Sequence, residues 1–207
     1  MRLALLSDTH GFCPEIPPGA DAVIHAGDIA WDRRVIENYT DDIYPWAERV
    51  AVPIYATFGN HDFLARDGKI PTGQPTNLQF LIDQAQTING VKFWFSPWSH
   101  LFGSWAYMLK EKGLAERYAL IPDDTEIIVS HGPPKNFGDE AMDGKRVGSV
   151  SLVERAMQLP KLKLIITGHI HEARGDYKMG RIRVMNVSYL DEYYRPAPPG
   201  VVMLDWP

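Results

Sequence analysis

Short apolar runs recur along the whole chain, and most of them end in a polar or glycine-containing segment. The runs are rich in Val, Ile and aromatic residues, a composition that favours β-strands over helices. Because they are almost continuously apolar rather than alternating, we expect strands that are covered on both faces. The runs comprise residues 3–6, 22–24, 52–58, 91–95, 127–129, 162–166, 182–187 and 201–204.

Segments with helical character separate many of these runs. Residues 77–86 place apolar side chains at helical spacing and lead into the turn signal Asn89-Gly90, so we expect a helix there. We also expect a partial helix within 31–50, interrupted at Pro45. Two further predicted helices comprise residues 105–118 and 150–159. Strands that alternate with helices predict a layered α/β fold.

Four longer segments have no clear period and are rich in Pro, Gly and charged residues. Long loops in a compact domain are often functional, although plain surface excursions are the alternative. These segments comprise residues 12–19, 65–76, 132–148 and 189–200. No repeat or linker divides the 207 residues, so we expect one domain, 1–207.

Composition narrows the possible partners. The formal net charge is −5 without a cluster of Lys or Arg, which disfavours binding of long nucleic acid. Cys13 is the single cysteine, so an internal disulfide and a thiolate metal cluster are excluded. The apolar start is too short for a signal peptide, and no run approaches the roughly 18 residues of a membrane span. We therefore expect a cytoplasmic protein with a small-molecule substrate and no membrane contact, and its oligomeric state stays open.

Acids, an amide or histidines directly follow five of the apolar runs. Open α/β sheets bind ligands at the carboxyl ends of their strands, so these side chains are expected to meet at one edge. Each residue alone has an ordinary explanation as a turn, a helix cap or a hydrogen-bonded histidine. Together they indicate a metal site. The candidate ligands are Asp8, His10, Asp28, Asn60, His131, His169 and His171.

The kinds of ligand restrict the metal. Imidazole, carboxylate and amide oxygen without thiolate suit Mn, Fe or Zn. Seven candidates are too many for one four-ligand site but suit two ions that share a bridging carboxylate. Two metals roughly 3.5–4 Å apart are a device for hydrolysis at phosphorus.

Five separated segments, in this order, resemble the calcineurin-like metallophosphoesterases. The match spans nearly the whole chain. It implies a four-layer α/β/β/α sandwich, in which two packed mixed sheets are flanked by helices and the metals lie at the strand ends. The segments are Asp8-Thr9-His10, Gly27-Asp28, Gly59-Asn60-His61-Asp62, Ser130-His131-Gly132 and Gly168-His169-Ile170-His171.

Further segments are similar to one branch of that family, the metallophosphoesterase-domain phosphodiesterases. They are Ser96-Pro97-Trp98, Trp105-Ala106-Tyr107, His131-Gly132-Pro133-Pro134, Gly168-His169-Ile170-His171-Glu172 and Tyr193-Tyr194-Arg195-Pro196. The resemblance implies hydrolysis of small phosphodiesters, including cyclic nucleotides, with Mn²⁺ favoured and Fe, Zn or Mg as alternatives. A phosphomonoesterase or a nuclease on the same site is the second reading. The third is a non-catalytic scaffold, because a retromer subunit shares this fold without the substrate-facing histidine.

The resemblance also implies residue roles. Asp8, His10 and His171 would hold one ion, and Asn60, His131 and His169 the other, with Asp28 bridging and a metal-bridging hydroxide as nucleophile. Asn60 and His61 would contact the substrate, with His61 as a catalytic residue and not a ligand. Asp62 would either orient His61 or stabilise the turn.

Phosphoprotein phosphatases of this superfamily carry an Asp-Arg-Gly after the Gly-Asp motif, and its arginine binds phosphate. Here Asp32-Arg33-Arg34 stands instead, and Asp62 replaces a usual Glu, which disfavours a serine/threonine phosphatase. Arg33 and Arg34 are either phosphate contacts or solvated residues.

Several residues stay ambiguous. His25 is a buried structural histidine or a partner of a ligand. His100 is a surface or a cleft residue, and Asn186 touches substrate or closes a turn. Four aromatic residues form either a nucleobase platform or packing contacts. These are Trp98, Trp105, Tyr193 and Tyr194.

Overall fold

The computed structural model describes residues 1–31 and 35–207. Its first sheet has the strand order β13-β1-β2-β3-β4. Strands β1 to β4 run parallel to one another, and β13 is antiparallel to β1. These strands are β1 (Arg2–Leu6), β2 (Ala22–Ala26), β3 (Ile54–Thr57), β4 (Leu78–Phe80) and β13 (Val202–Asp205).

The second sheet has the strand order β11-β12-β10-β9-β6-β5. Its four central strands are parallel, and the two outer strands are antiparallel to their neighbours. They are β5 (Gln84–Ile88), β6 (Val91–Ser96), β9 (Ile127–Ser130), β10 (Leu164–Thr167), β11 (Gly175–Met179) and β12 (Ile182–Asn186). Two short strands, β7 (Ser99–His100) and β8 (Met108–Leu109), pair with each other.

Helices cover the outer face of each sheet. A π-helical segment, Asn38–Ile43, continues into α1 (Tyr44–Arg49) on the first sheet. Helices α3 (Glu111–Tyr118) and α4 (Val150–Gln158) pack on the second sheet. Short helical turns also occur at α2 (Phe63–Arg66) and at His171–Ala173. The predicted four-layer sandwich of two mixed sheets is confirmed.

Strand β1 shows why a continuous apolar run was needed. Leu3 and Leu5 point into the core between the two sheets, whereas Ala4 and Leu6 point into the core beneath α1. All four side chains are fully buried. Because burying a leucine contributes about 1.5–3 kcal/mol, both faces of the strand stabilise the layers. The expectation of strands covered on both faces is confirmed.

The helix predicted for residues 77–86 is wrong. The segment instead forms β4 of the first sheet and the start of β5 of the second. Leu78 packs beneath the helices of the first sheet, while Leu81 packs between the sheets. The apolar spacing therefore arises because the chain changes sheets, and the positive φ of 46° at Asp83 marks the turn.

The other helix predictions succeed in part. Of residues 105–118, the first part contains β8, and only Glu111–Tyr118 is helical. Pro45 does not end the helical segment; it is the second residue of α1, where the segment changes from the π-helical turns Asn38–Ile43 to α-helix. Helix α4 is confirmed: the Ser149 side chain accepts a hydrogen bond from the Leu152 amide, and the helix ends before Pro160. None of the helices in the described ranges is long and apolar enough to cross a membrane.

Candidate metal centre

The predicted ligands meet where parallel strands of both sheets end. A cavity of about 230 Å³ opens there and is lined in part by Asp28, Asn60, His169 and His171. Backbone hydrogen bonds join the two sheets at this edge: the Ser7 amide donates to the Val187 carbonyl at 3.2 Å. The sheet edges are therefore held together at the cavity itself.

Asp8 is fixed mainly by groups of the second sheet. The His169 backbone amide donates to both carboxylate oxygens, at 3.1 and 3.0 Å, and the Ser188 hydroxyl donates at 2.9 Å. The Nε2 atom of His171 lies 3.4 Å from Asp8 Oδ1. Burial alone would raise the pKa of Asp8, but the hydrogen bond and charge of His171 lower it well below its usual range.

Asp28 lies between imidazoles from both sheets. Its Oδ2 atom is 3.4 Å from His131 Nε2 and 3.9 Å from His10 Nε2. Its Oδ1 atom accepts a hydrogen bond of 2.7 Å from the His61 backbone amide. Burial opposes ionisation of Asp28, but the charge of His131 outweighs it and lowers the pKa below the usual range. One oxygen thus faces two separate groups of candidate ligands.

His131 is oriented by a carbonyl of the first sheet. Its Nδ1 atom donates to the Ala26 carbonyl at 3.0 Å, so Nε2 points at Asn60 Oδ1, 2.9 Å away, and at Asp28. Two oxygens facing one imidazole nitrogen call for a cation or a proton between them. Burial lowers the pKa of His131, but the Asp28 carboxylate outweighs it and raises the pKa to about 9.

The two histidines of the segment Gly168-His169-Ile170-His171 take two different positions. His171 donates from Nδ1 to the Asp191 carbonyl at 3.0 Å and turns Nε2 towards Asp8. Such a hydrogen bond sets the tautomer that a metal requires. The His169 ring lies 4.9 Å from the His131 ring, centre to centre. Burial and the charge of His131 lower the pKa of His169 to about 3, which keeps the ring neutral.

His10 provides the sharpest test of whether a metal fits. The side chain is buried, and neither ring nitrogen has a hydrogen-bond partner within residues 1–31 and 35–207. A buried polar atom without a partner is costly, so a ligand for this ring is physically favoured. Burial lowers the pKa of His10 to about 4, which leaves the neutral form that binds metal.

Three groups of donor atoms have each member within 4.8 Å of the others. One is Asp8, His10 and His171, another is Asp8, Asp28 and His131, and the third is His10, Asp28 and His61. Carboxylate oxygens and imidazole nitrogens fit Mn, Fe or Zn, as the sequence predicts. The donor set therefore suits a divalent metal centre.

The backbone at the cavity is strained and closely packed. Asp8, His10, Asp28 and His169 have positive φ angles of 52°, 44°, 53° and 70°. Such conformations cost free energy and cluster at functional sites. A Cβ atom at Gly168 would overlap Asp8 Oδ2, and one at Gly59 would overlap Asp28 Oδ1. Only glycine allows these loops to approach the carboxylates so closely.

His61 belongs to the third of these donor groups, with His10 and Asp28. Its ring is 4.6 Å from the His10 ring and 4.6 Å from the Trp105 ring, centre to centre. Its Nδ1 atom is buried and has no hydrogen-bond partner among the described residues. The ring lines the cavity, where an added molecule would meet it.

Asp62 bonds to the backbone around it. Its oxygens accept hydrogen bonds from the Gly59 amide at 2.7 Å and the Ala30 amide at 3.1 Å. Burial and the nearby charge of Asp28 raise the pKa of Asp62 to about 7. Of the two alternatives for this residue, these contacts support the stabilised turn. The Asp62 carboxylate thus holds the backbone of the loop Gly59-Asn60-His61-Asp62.

The ambiguous histidines differ in burial. His25 accepts a hydrogen bond from the Gly27 amide at Nδ1 (3.2 Å) and lies 2.9 Å from the Thr9 hydroxyl at Nε2. It is buried, and burial lowers its pKa to about 3, so it is a neutral hydrogen-bonded histidine. The His100 side chain is exposed and lies 3.6 Å from a Glu111 oxygen.

Asn186 and Ser188 support the ligand loop. The Asn186 side chain donates to the Ile170 carbonyl at 2.8 Å and accepts from the Ser188 hydroxyl at 2.8 Å. Asn186 thus closes the turn that carries His169 and steadies the serine that contacts Asp8. Sequence reasoning missed Ser188, although it follows an apolar strand in the same way as the candidate ligands.

The aromatic candidates are divided between packing and the cavity. Trp98 donates from its indole nitrogen to Asp83 at 2.8 Å and packs on Tyr107, so it is structural. Trp105 and Tyr194 line the cavity, whereas Tyr193 is 61% exposed beside Arg195. Asp32, Arg33 and Arg34 lie outside the described residues.

Comparison with known proteins shows the family to which this chain belongs. The model for calcineurin-like phosphoesterases matches residues 1–173. The chain belongs to the calcineurin-like phosphoesterase family. It is 27% identical to human metallophosphoesterase domain-containing protein 1, over 98% of this chain and 70% of that protein. A UPF0046 protein of Caenorhabditis elegans is 24% identical, over 97% of this chain and 83% of the relative.

Solved structures agree on the fold. One crystal structure superposes with a TM-score of 0.66 at 15% identity, covering 89% of both chains. At that identity the match supports the fold alone. The family comprises hydrolases of phosphoric esters that use divalent metal ions, so the chain is a phosphoesterase with candidate ligand clusters for such ions.

Proposed function

We propose that the chain is a phosphodiesterase that hydrolyses small phosphodiesters, such as cyclic nucleotides, with two divalent metal ions, Mn²⁺ foremost. Asp8, His10 and His171 would hold the first ion, and Asn60, His131 and His169 the second, with Asp28 shared. The position of Asp28 Oδ2 between His10 and His131 is the observation that carries this assignment.

The metals, when bound, would supply positive charge that polarises the phosphoryl group and activates water. The chain itself supplies alignment. Hydrogen bonds from second-sheet groups hold Asp8, and the Ala26 carbonyl holds the His131 ring, so donor atoms need no reorganisation. His61 lines the open side of the cavity, where its ring meets the substrate and donates a proton or hydrogen bond to the leaving oxygen.

The side chains that line the cavity support a diester rather than a monoester as the substrate. Glu172 and Glu192 line the cavity, and none of its described lining residues is Lys or Arg. A phosphomonoester carries a charge of about −1.5 to −2 at neutral pH. A diester carries a single negative charge, which the two proposed cations can offset without a Lys or Arg from the chain. The net charge of −5 likewise disfavours the binding of long nucleic acid, which is a polyanion.

The direct test uses the chain loaded with Mn²⁺, with metal content confirmed by elemental analysis. We expect hydrolysis of bis(p-nitrophenyl) phosphate and of a cyclic nucleotide, with higher kcat/KM than for p-nitrophenyl phosphate or single-stranded DNA. Inactivity of the fully loaded protein on every diester would overturn the proposal. A preference for the monoester would indicate a phosphomonoesterase, and a preference for DNA would indicate a nuclease.

His61→Asn tests the role of the imidazole. We expect kcat to fall by about 10²-fold or more, as for loss of a positioned acid, with metal content retained. Gln158→Asn, at an exposed position at the end of α4, is the control and should leave kcat unchanged. If His61→Asn loses metal instead, His61 is a ligand, consistent with its position beside His10 and Asp28.

A further inference from the structure

A second cavity lies directly beside the metal cavity. Its volume is about 380 Å³, within the range of small-molecule pockets. The Phe102 and His169 side chains line both cavities. A molecule whose phosphorus lies among the candidate ligands therefore has one ester group within reach of this space, which we call the side cavity.

The walls of the side cavity are apolar. Leu101, Phe102, Val147 and Ile170 line it, and Phe102 is 52% exposed. An exposed aromatic side chain at a cavity mouth loses unfavourable water contact when a flat apolar group covers it. The Phe102 ring already lies against His169 at 5.6 Å, centre to centre, with 37° between the planes.

The basic side chains at this cavity already have partners. Arg146 pairs with Asp139 at 3.3 Å and with Glu140. The Lys135 ammonium donates to the Arg146 carbonyl. His100 lies 3.6 Å from Glu111. The two acids, Asp139 and Glu140, offset the charges of Arg146 and Lys135, so this group of side chains is neutral as a whole and does not favour a second anion. It favours an uncharged group.

We infer that the side cavity is a specificity subsite that binds an uncharged aromatic ester group of the substrate. The inference rests on the proposed function, and it narrows the substrate class to phosphodiesters with at least one flat apolar substituent. Phe102 and His169 divide the two cavities, so the phosphoryl group and the aromatic group occupy neighbouring spaces.

Binding of two phosphinates tests this inference without turnover. Diphenylphosphinate and dimethylphosphinate carry the same single charge and contain no cleavable ester bond. Isothermal titration of the Mn²⁺-loaded chain should give a dissociation constant about 10-fold or more lower for the diphenyl compound, because a phenyl ring is buried. Equal affinity for the two compounds would overturn the subsite.

Two variants fill the side cavity from different walls. Val147→Trp and Leu101→Trp should each bring the affinity ratio of the two phosphinates close to one. Leu101 is 38% exposed, so its substitution is tolerated even where Val147→Trp disturbs the loop. Met157→Trp, at a 48% exposed position on α4, is the matched control and should keep the wild-type ratio. A preference for diphenylphosphinate that survives both cavity variants would refute the subsite.

The outcome is separable from that of the proposed function. Loss of the affinity ratio in the cavity variants, with no diester hydrolysed by the wild type, would sustain the subsite and reject the phosphodiesterase. If the wild type hydrolyses a diester but binds the two phosphinates equally, the phosphodiesterase is supported and the subsite is rejected.

Discussion

The two proposed ion positions differ in charge and in how their ligands are held. The first has a carboxylate, Asp8, whereas the second has the neutral amide of Asn60 in the corresponding place. Asp8 receives three hydrogen bonds from the second sheet. Asn60 Oδ1 instead faces His131 at 2.9 Å. A negative ligand held by donors binds a cation more strongly than a neutral one, so we expect the first position to fill first.

Each position also depends on the opposite sheet. The Asp8 carboxylate of the first sheet is held by the His169 amide, and the His131 ring of the second sheet is held by the Ala26 carbonyl. This reciprocal support means that neither sheet alone presents a finished set of ligands. Metal binding and the contact between the sheet edges should therefore be coupled.

The largest expected effect comes from removing what the two positions share. Asp28→Asn should weaken the binding of both ions. Because loss of one electrostatic stabiliser lowers kcat by about 10²–10³-fold, we expect activity to fall by more than about 10³-fold. Metal content, measured by elemental analysis after dialysis, should fall below two ions per chain. Asp205→Asn, at a carboxylate whose side chain is 87% exposed, is the control and should change neither value. Retention of both ions by Asp28→Asn would show that the positions are independent.

A smaller effect should distinguish the first position from the second. Ser188→Ala removes a hydrogen bond to Asp8 and should weaken metal binding at the first position by about 10–100-fold, the usual cost of losing a partner of a ligand. Titration calorimetry with Mn²⁺ should show the tighter step weakened and the other step unchanged. Ser151→Ala, at a buried serine on α4, is the control. Equal weakening of both steps would contradict the separation of roles.

The smallest expected effect comes from a substitution that gives both ion positions a carboxylate ligand. Asn60→Asp gives the second position a carboxylate and should tighten its ion by about 10-fold, or ~1.4 kcal/mol. Asn136→Asp adds the same charge at an exposed loop residue and should leave both steps unchanged. If Asn60→Asp does not tighten either step, charge is not what ranks the two positions.

The sequence predicted those parts of the fold that carry a continuous apolar run. Each central strand was found, because its two buried faces require apolar residues throughout. Strands β5 and β11 were missed because they lie at sheet edges with only partial burial, and they therefore lack such a run. The helix predicted at 77–86 failed because Leu78 and Leu81 serve two different cores.

The candidate ligands were predicted for a related reason. A polar residue that directly follows a buried strand must lie at its carboxyl end, so the seven side chains could be placed at one edge from order alone. Contacts across the sheets, such as Ser188 with Asp8, depend on distances that no linear pattern contains. The single domain 1–207 and the cytoplasmic location stay predictions.

The paired hydrogen bonds from the His169 amide to Asp8 have a practical use. That amide proton points at a carboxylate that would bind the first ion, so its chemical shift and its solvent exchange should respond to metal. Because the His169 ring is also a proposed ligand of the second ion, this signal, followed by nuclear magnetic resonance during a titration with diamagnetic Zn²⁺, would report loading of the whole centre without any substrate. The His169 backbone amide is thus a spectroscopic probe of metal loading.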